Sequence, residues 1–311
     1  MNELISVIMA VYKESKDELE DAIYSILKQT YTNLELIIVL DNPDDTWRYN
    51  FIKNIDDKRV VLVLNDVNMG LPKSLNKALS LAKGKYIARM DADDISQLDR
   101  LEKQKKFLES RECDLCGCNF VSFYNNGMNK KIKMPQKDIS IKKALRYTNC
   151  IGHPTWFGKK IVFDKNNGYR NIFACEDYDF LLRAAKNNFI LGNVSEELLN
   201  YRVNLNSISR KNAGKQMVIT NLLSKAFKNG NTLSEKELKD YLNTEKCEDE
   251  IKKYNNYYKL KYEKNANNKY CLKEIIIYLK LIFFSKYVVK DIFRKVYMKY
   301  ILFCEKKEKY E

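Results

Sequence analysis

Residues 84–95 read GKYIARMDADDI, and this stretch decides how the rest of the chain is read. An apolar run from Tyr86 to Met90 leads into three carboxylates within four residues, Asp91, Asp93 and Asp94. A packed core does not hold such charge unpaired, because an ionised carboxylate loses far more on leaving water than its burial returns. The run therefore reads as a strand that delivers its acids to a cleft. If the extended backbone continues through them, side chains two apart share one side, so Asp91 and Asp93 converge. Asp94 is then expected to cap a helix starting near Ser96.

Working outward, apolar runs alternate with helical periods. ISVIMAVY (5–12), LELIIVLD (34–41) and RVVLVLND (59–66) read as strands, and KYIARMD (85–91) is the fourth. ELEDAIYSILKQ (18–29) places Leu19, Ala22, Ile23, Ile26 and Leu27 on one helical face. A short polar helix or loop separates the second and third strands. LPKSLNKALSLAKG (71–84) has proline in its first turn and Gly84 at its expected end. Strand and helix alternating at this spacing predict an α/β fold, a mostly parallel sheet flanked by helices on both faces.

In such sheets ligands bind beyond the carboxyl ends of the strands. Those ends carry Tyr12, Asp41, Asp66 with Asn68, and Asp91 with Asp93. No glycine-rich phosphate loop follows any of them, so backbone amides are not expected to hold phosphates. Carboxylates cannot touch a diphosphate directly, so a divalent metal, Mn²⁺ or Mg²⁺, is expected between them.

The whole chain has 311 residues, is 45% hydrophobic and carries a net charge of +14. It is long enough for one large domain and an appendage, and its charge favours a polyanionic neighbour. Eight cysteines are present, but MNELISVIMAVY lacks the basic start and long apolar run of a signal peptide, so free thiols in the cytoplasm are the expectation. Cys113, Cys116 and Cys118 resemble part of a metal cluster, yet no second Cys pair or His group completes it nearby, and small buried strand residues are the preferred reading.

SVIMAVYKE, LIIVLDNPDDT, NMGLPKSLNKAL, GKYIARMDADDI, GHPT, ACEDYDFLLRA and ELLNYRVNLNSIS occur in an order and spacing that resemble a family 2 glycosyltransferase of the GT-A fold, over residues 4 to about 210. The resemblance implies an inverting transferase that moves a sugar from a nucleotide-diphosphate donor, commonly a UDP-sugar, to a hydroxyl of a glycan acceptor. It implies work in capsule, O-antigen or other surface-polysaccharide synthesis, on a lipid-linked acceptor at the inner face of the plasma membrane.

Residue by residue, it implies donor binding by Ala10, Tyr12 and Glu14, with the Tyr12 ring on the base and Asp41 accepting a hydrogen bond from it. Asn68, Gly70, His153 and Arg202 join that donor set, although a turn explains Asn68 and Gly70 and loop packing explains His153 and Arg202 equally well. Asp91 is implied to contact ribose or sugar, and Asp93 to ligate the metal. Asn204 stands where many relatives carry a histidine that completes the metal shell; an amide oxygen is the weaker ligand. Ser207 and Ser209 lie in the same segment. Asp177 corresponds to the family's catalytic base, although acids in a helix's first turn are also favoured by the dipole alone.

Residues 1–212 are thus expected to form the catalytic domain, with a nucleotide-binding half to about 95 and an acceptor half from about 96. Residues 213–311 shift to Lys, Asn and Tyr and read as a basic helical region. Within it, 273–303 is apolar and aromatic but interrupted by lysines, too often for a membrane span. It fits a helix lying on an anionic membrane, and equally a helix packed on the catalytic domain. A nucleic-acid binder would carry basic and aromatic residues where the strand ends carry acids, so no nucleic-acid partner is expected. A nucleotidyltransferase would want a glycine-rich basic loop after the first strand, which MAVYKES does not supply. A catalytically degenerate scaffold is opposed by Asp41, Asp91, Asp93 and Asp177, and kept open by Asn204.

Overall fold

The computed structural model describes residues 3–124, 127–204, 208–262, 279–281 and 285–308. The chain forms two units: Met1–Lys142 with Cys150–Asn171 and Phe180–Asn204, and Lys143–Asn149 with Ile172–Asp179 and Leu205–Glu311.

A single sheet organises the first unit. Strands β1 (Ile5–Val11), β2 (Leu34–Leu40), β3 (Val60–Leu64) and β4 (Tyr86–Asp91) run parallel in the order β3-β2-β1-β4. ISVIMAV and LELIIVL are almost wholly buried, as parallel strands covered on both faces must be. Ile5, Val7, Met9 and Val11 share a core with Leu19, Ala22, Ile23 and Ile26 of helix α1 (Lys16–Leu27). The α1 helix opens with a capping box between Ser15 and Glu18, so its first orphan amides are satisfied locally. A polar helix α2 (Thr46–Lys53), capped by Asp45, fills the connection that the sequence leaves between helix and loop. Helix α3 (Leu71–Leu81) buries Leu75 and Ala78.

The register sets the site. Ala10 pairs with Asp91, Val11 with Leu40, and Leu40 with Leu64, so four strands end level and Tyr12, Asp41, Asn65 and Asp91 emerge along one edge. Beyond β4 the sheet becomes mixed. Strand β8 (Phe157–Lys159) is antiparallel to β4, and β6 (Leu115–Phe123) is antiparallel to β8. Strand β9 (Leu191–Arg202) is parallel to β6 and pairs in turn with β5 (Ile95–Ser96), while β7 (Asn129–Ile132) pairs with β6. The parallel arrangement read from the sequence therefore covers β1 to β4, where buried apolar runs made it legible.

Two expectations are corrected. No helix begins at Ser96: Ile95 and Ser96 pair with Asn200 and Leu199, and helix α4 (Arg100–Ser110) starts four residues later. Gly84 does not end α3, which stops at Leu81. A Cβ at Gly84 would lie 2.6 Å from the Ser6 nitrogen, so glycine is needed there for close approach to β1. Cys113, Cys116 and Cys118 are buried on or just before β6, and burial pushes the Cys113 thiol up to about 12 and Cys118 up to about 11. They are small, neutral strand residues, as the sequence suggested.

Helices α5 (Asp138–Leu145), α6 (Lys160–Lys165) and α7 (Glu176–Lys186) complete the first 204 residues. The second unit holds α8 (Ile208–Lys211), α9 (Ala213–Lys228), α10 (Glu235–Leu242), α11 (Glu245–Tyr262) and α12 (Lys286–Lys307). Its core joins Met217 and Val218 of α9, Tyr254 and Tyr257 of α11, and Tyr287 and Val288 of α12. Asp291 is buried there and held by Lys295 at 2.6 Å and Lys261 at 3.3 Å. No helix among the described residues is long and apolar enough to cross a membrane. Residues 273–278 and 282–284 of the expected amphipathic segment lie outside the described residues.

Candidate active site

The acid cluster is formed by a turn, not by continued strand. Asp91 is the last residue of β4, the chain turns at Ala92 and Asp93, and one oxygen from each of Asp91, Asp93 and Asp94 lies within 4.8 Å of the others. Ala92 is buried, which anchors the turn. Asp94 is fully buried and is not a helix cap: its Oδ1 accepts the Arg202 backbone N–H at 2.8 Å, and its Oδ2 has no hydrogen-bond partner among the described residues.

Three arginines surround this turn, and each is placed by the fold. Arg89, two residues before Asp91 on the same strand face, is buried and pairs with the Asp91 carboxylate. Its Nε and Nη1 have no hydrogen-bond partner among the described residues. Arg100 of α4, also buried, donates to the Arg89 carbonyl at 2.7 Å and to Gln104 Oε1 at 2.9 Å, bracing the end of β4. Arg202 donates from Nε to the Asp93 carbonyl at 2.8 Å and from Nη2 to Asp21 at 3.2 Å, over the Phe123 ring at 4.7 Å. Arg202 therefore clamps the acidic turn through its backbone and side chain.

Like charges so close cannot all ionise easily. Burial, then Asp91 and Glu14, pushes the Asp93 carboxyl up to about 7, and burial with Asp91 and Asp93 takes Asp94 well above the usual carboxylate range. Glu14, whose Oε2 accepts the Tyr12 N–H at 2.8 Å, is raised chiefly by burial. An all-oxygen cluster with excess negative charge and a buried orphan oxygen fits a hard divalent cation such as Mg²⁺ or Mn²⁺. Asp91 and Asp93 would hold it.

A cation must displace the Asp93 proton, so affinity for Mn²⁺ is expected to climb as pH rises toward about 7 and to level off above it. Below that point the slope should approach about tenfold per pH unit for one proton released. Calorimetric titrations between pH 5.5 and 8.5 read this directly, and a flat profile would remove Asp93 from the ligand set.

At the end of β2, Asp41 is only 4% exposed. It accepts hydrogen bonds from Asn65 Nδ2 at 2.8 Å, from the Met69 N–H at 2.7 Å and from the Gly70 N–H at 2.8 Å. Asn65, buried and unnoticed in the sequence, also donates to Ser74 Oγ at 2.9 Å. A carboxylate has about four acceptor positions, so three are already committed to the loop that carries Asn68 and Gly70. Asp41 thus holds that loop first, and one position remains for any base. Gly70, at φ +81°, is the N-cap of α3 and takes a conformation that suits glycine. Asn68 is exposed, and Tyr12 is half-buried with Lys13 Nζ 4.7 Å from its ring centroid.

Asp41→Asn would turn an amide N–H toward donors and leave one of them unpaired, at a cost of about 1–3 kcal/mol. Urea unfolding should show a lowered midpoint with an unchanged slope. An unaltered midpoint would show that the loop does not depend on the carboxylate.

His153 is 8% exposed, with Nε2 3.1 Å from the Tyr169 hydroxyl and its ring against Trp156 at 4.6 Å. Burial, then Arg89, holds it well below its usual range, so the ring is neutral. It belongs to a packed layer with Trp156, Tyr169 and Phe180, in line with the packing alternative that the sequence left open. Asn204 is exposed at the end of the first unit, beyond β9. Ser207 and the Ser209 side chain lie outside the described residues.

In the second unit, Asp177 sits in the first turn of α7, after a turn in which Ala174 has φ +52°. Its Oδ2 accepts from Asn149 Nδ2 at 2.7 Å, and its Oδ1 from the Tyr178 N–H at 2.6 Å. The Tyr178 hydroxyl donates to the Leu145 carbonyl at 2.6 Å, fixing the start of the helix. Asn149 has no sequence signal that points to Asp177; only the fold brings residues 28 apart together. Leu181, Leu182, Ala184 and Ala185 are buried, as the helical period required.

With this geometry in place, comparison with known proteins adds lineage. Residues 6–165 match the family described as Glycosyl transferase family 2. The O-antigen biosynthesis glycosyltransferase WbnJ of Escherichia coli is 38% identical over 68% of this chain and 84% of its own length. The UDP-Glc:alpha-D-GlcNAc-diphosphoundecaprenol beta-1,3-glucosyltransferase WfgD of Escherichia coli is 33% identical over 66% of this chain and 79% of its own.

Among solved structures, residues 1–349 of S. aureus TarS in complex with UDP-GlcNAc align with TM-score 0.59 at 18% identity, over 89% of this chain and 79% of that one. The longer TarS chain is covered to 48%. The mannosyltransferase PcManGT from Pyrobaculum calidifontis, in complex with GDP-Man and Mn²⁺, aligns with TM-score 0.58 at 17% identity, over 96% and 85%. These structures establish the fold, a GT-A-type sheet flanked by helices and followed by C-terminal helices.

Proposed function

The chain belongs to glycosyl transferase family 2, and from that premise we propose that it is an inverting, metal-dependent transferase moving a sugar from a UDP-sugar to a hydroxyl of a lipid-linked glycan in surface-polysaccharide synthesis. The observation that carries the reading is the convergence of Asp91, Asp93 and Asp94 where the parallel strands end. The relatives' names support the rest: WbnJ belongs to O-antigen synthesis, and WfgD takes UDP-Glc and a diphosphoundecaprenol-linked acceptor. Such an acceptor would bring the enzyme to the inner face of the plasma membrane as a peripheral protein.

In this reading residues 1–95 hold the donor and residues 96–212 the acceptor. The Tyr12 ring offers a face for the base, with Ala10 and Glu14 beside it, and the last acceptor position of Asp41 takes a base N–H. Asn68 and Gly70 sit on the loop that Asp41 holds. Asp91 contacts the ribose or sugar and, with Asp93, would hold the metal, to which the Asn204 amide oxygen would be a weaker further ligand. The metal, when bound, offsets charge on the departing diphosphate.

Asp177 takes the proton of the acceptor hydroxyl while that oxygen bonds to the anomeric carbon. The bond from that carbon to the diphosphate oxygen breaks as the new one forms, and its electron pair leaves with the nucleoside diphosphate. One displacement inverts the centre, so no covalent enzyme intermediate is required. Asn149 orients the Asp177 carboxylate for this role.

A calorimetric titration with UDP, once with Mn²⁺ and once with EDTA, tests the donor half. Metal-dependent binding supports it, and no binding of UDP, GDP or dTDP in either condition would overturn it.

A further inference from the structure

Helix α12 buries a mixed face, in which Asp291, Arg294 and Glu305 lie among apolar residues, and leaves an apolar face exposed. Tyr287, Val288 and Ile301 are buried, while Val289, Ile292, Phe293, Val296, Tyr300 and Phe303 are each 37–61% exposed. At about 100° per residue, the exposed set falls within an arc of roughly 100° centred opposite the buried one. Lys286 and Lys290 run along one margin of that arc, and Lys295 and Lys299 along the other. Phe293 stacks on Tyr297 at 5.7 Å, and Tyr147 meets both rings edge-on at 5.2 and 4.8 Å.

The basic margin is crowded. Lys228 Nζ lies 3.6 Å from the Tyr147 ring centroid. Lys228 and Lys290 are both held below the usual ammonium range, first by burial and then by neighbours that are all cations: Arg146, Arg294 and Lys290 around the one, Arg294, Lys286 and Lys225 around the other. A stripe this long on a soluble surface marks a docking face. A second copy of the chain would bring lysine rows against lysine rows, which repel. A bilayer with anionic headgroups matches both features, since it accepts apolar side chains at the acyl boundary and offers phosphates to the flanking cations.

We propose that the exposed face of α12 lies on an anionic membrane surface, with Phe293, Val296, Tyr300 and Phe303 at the headgroup–acyl boundary and Lys286, Lys290 and Lys299 on lipid phosphates. This deepens the peripheral location of the proposed function by naming the face that meets the membrane, and flotation tests it separately from UDP binding.

The test is flotation of the full chain with vesicles of phosphatidylcholine alone and of phosphatidylcholine mixed with phosphatidylglycerol, at low and high salt. The chain floats with the anionic vesicles, and salt releases it. Phe293→Ser, Val296→Ser and Phe303→Ser together lower partitioning by at least about tenfold. Lys286→Gln, Lys290→Gln and Lys299→Gln each lower it roughly fivefold. Circular dichroism stays at the parent trace, and because Phe293 also packs on Tyr297 and Tyr147 the triple variant's urea midpoint falls slightly; Val296→Ser with Phe303→Ser, both more than half exposed, repeats the test at the parent midpoint. Flotation of the triple serine variant equal to the parent would overturn the proposal, as would equal binding to neutral vesicles. A parent that sediments as a dimer without floating, with the serine variant monomeric, would assign the face to a second copy instead.

Discussion

Asp93→Ala is expected to abolish Mn²⁺-dependent UDP binding and to lower turnover by about 10³-fold or more, the scale of losing a preorganised group opposite developing charge. The same substitution should make the ligand-free protein more stable at pH 8. Burial and Asp91 raise the Asp93 carboxyl from 3.8 to about 7 in the folded chain, so the folded state binds this proton more tightly than the unfolded one. Its contribution to stability is complete below pH 3.8 and is lost as pH rises through 7. At pH 8 the parent holds an ionised Asp93 against Asp91 and Glu14, and alanine removes that repulsion. Function and stability therefore pull apart at one residue, as they do where a site is built against its own folding. Urea midpoints at pH 5 and pH 8 read the second half: the variant's gain on the parent should be clearly larger at pH 8 than at pH 5. A variant that binds UDP with Mn²⁺ as the parent does would end the metal assignment.

The parallel half of the sheet was legible because ISVIMAV, LELIIVL and YIARM are apolar runs too continuous for any but a doubly covered strand. Asp91 and Asp93 were legible for the complementary reason, since charge at the end of such a run has to serve something. Asp94 was not, because an aspartate capping a helix and one buried on a distant amide look alike in sequence, and its partner Arg202 is 108 residues away. For Arg202 and His153 the sequence leaves donor contact and loop packing open, and the partners that the fold gives them, the Asp93 carbonyl and an aromatic layer, lie far away in sequence. Arg89 carried a usable signal, its two-residue offset from Asp91 on one strand face, whereas Asn65 and Asn149 carried none. A motif thus announces where chemistry is placed, while the groups that hold its carboxylates come from contacts that local spacing does not encode.

Asp177→Asn is expected to lower kcat by about 10²–10⁴-fold, the range for losing a positioned general base, while the UDP affinity measured with Mn²⁺ stays within about twofold. The substitution keeps the shape of the side chain, and the amide oxygen it introduces can still accept from Asn149 Nδ2 as Asp177 Oδ2 does at 2.7 Å. The start of α7 keeps the Tyr178 hydroxyl on the Leu145 carbonyl, while the Tyr178 N–H loses its acceptor at Oδ1, so the unfolding midpoint should fall by the equivalent of about 1 kcal/mol without loss of the fold. What is lost is the capacity to take a proton. Asn149→Ala separates orientation from basicity: it leaves the carboxylate in place and removes the amide that orients it, so kcat should fall by a smaller factor, about tenfold, with donor affinity again unchanged. The order parent, Asn149→Ala, Asp177→Asn in kcat, at constant donor affinity, is the signature of a base held by a positioning amide. If Asp177→Asn turned over at the parental rate, the proton would have to leave by another group, and the first-turn acids of α7 would be there for the helix dipole alone.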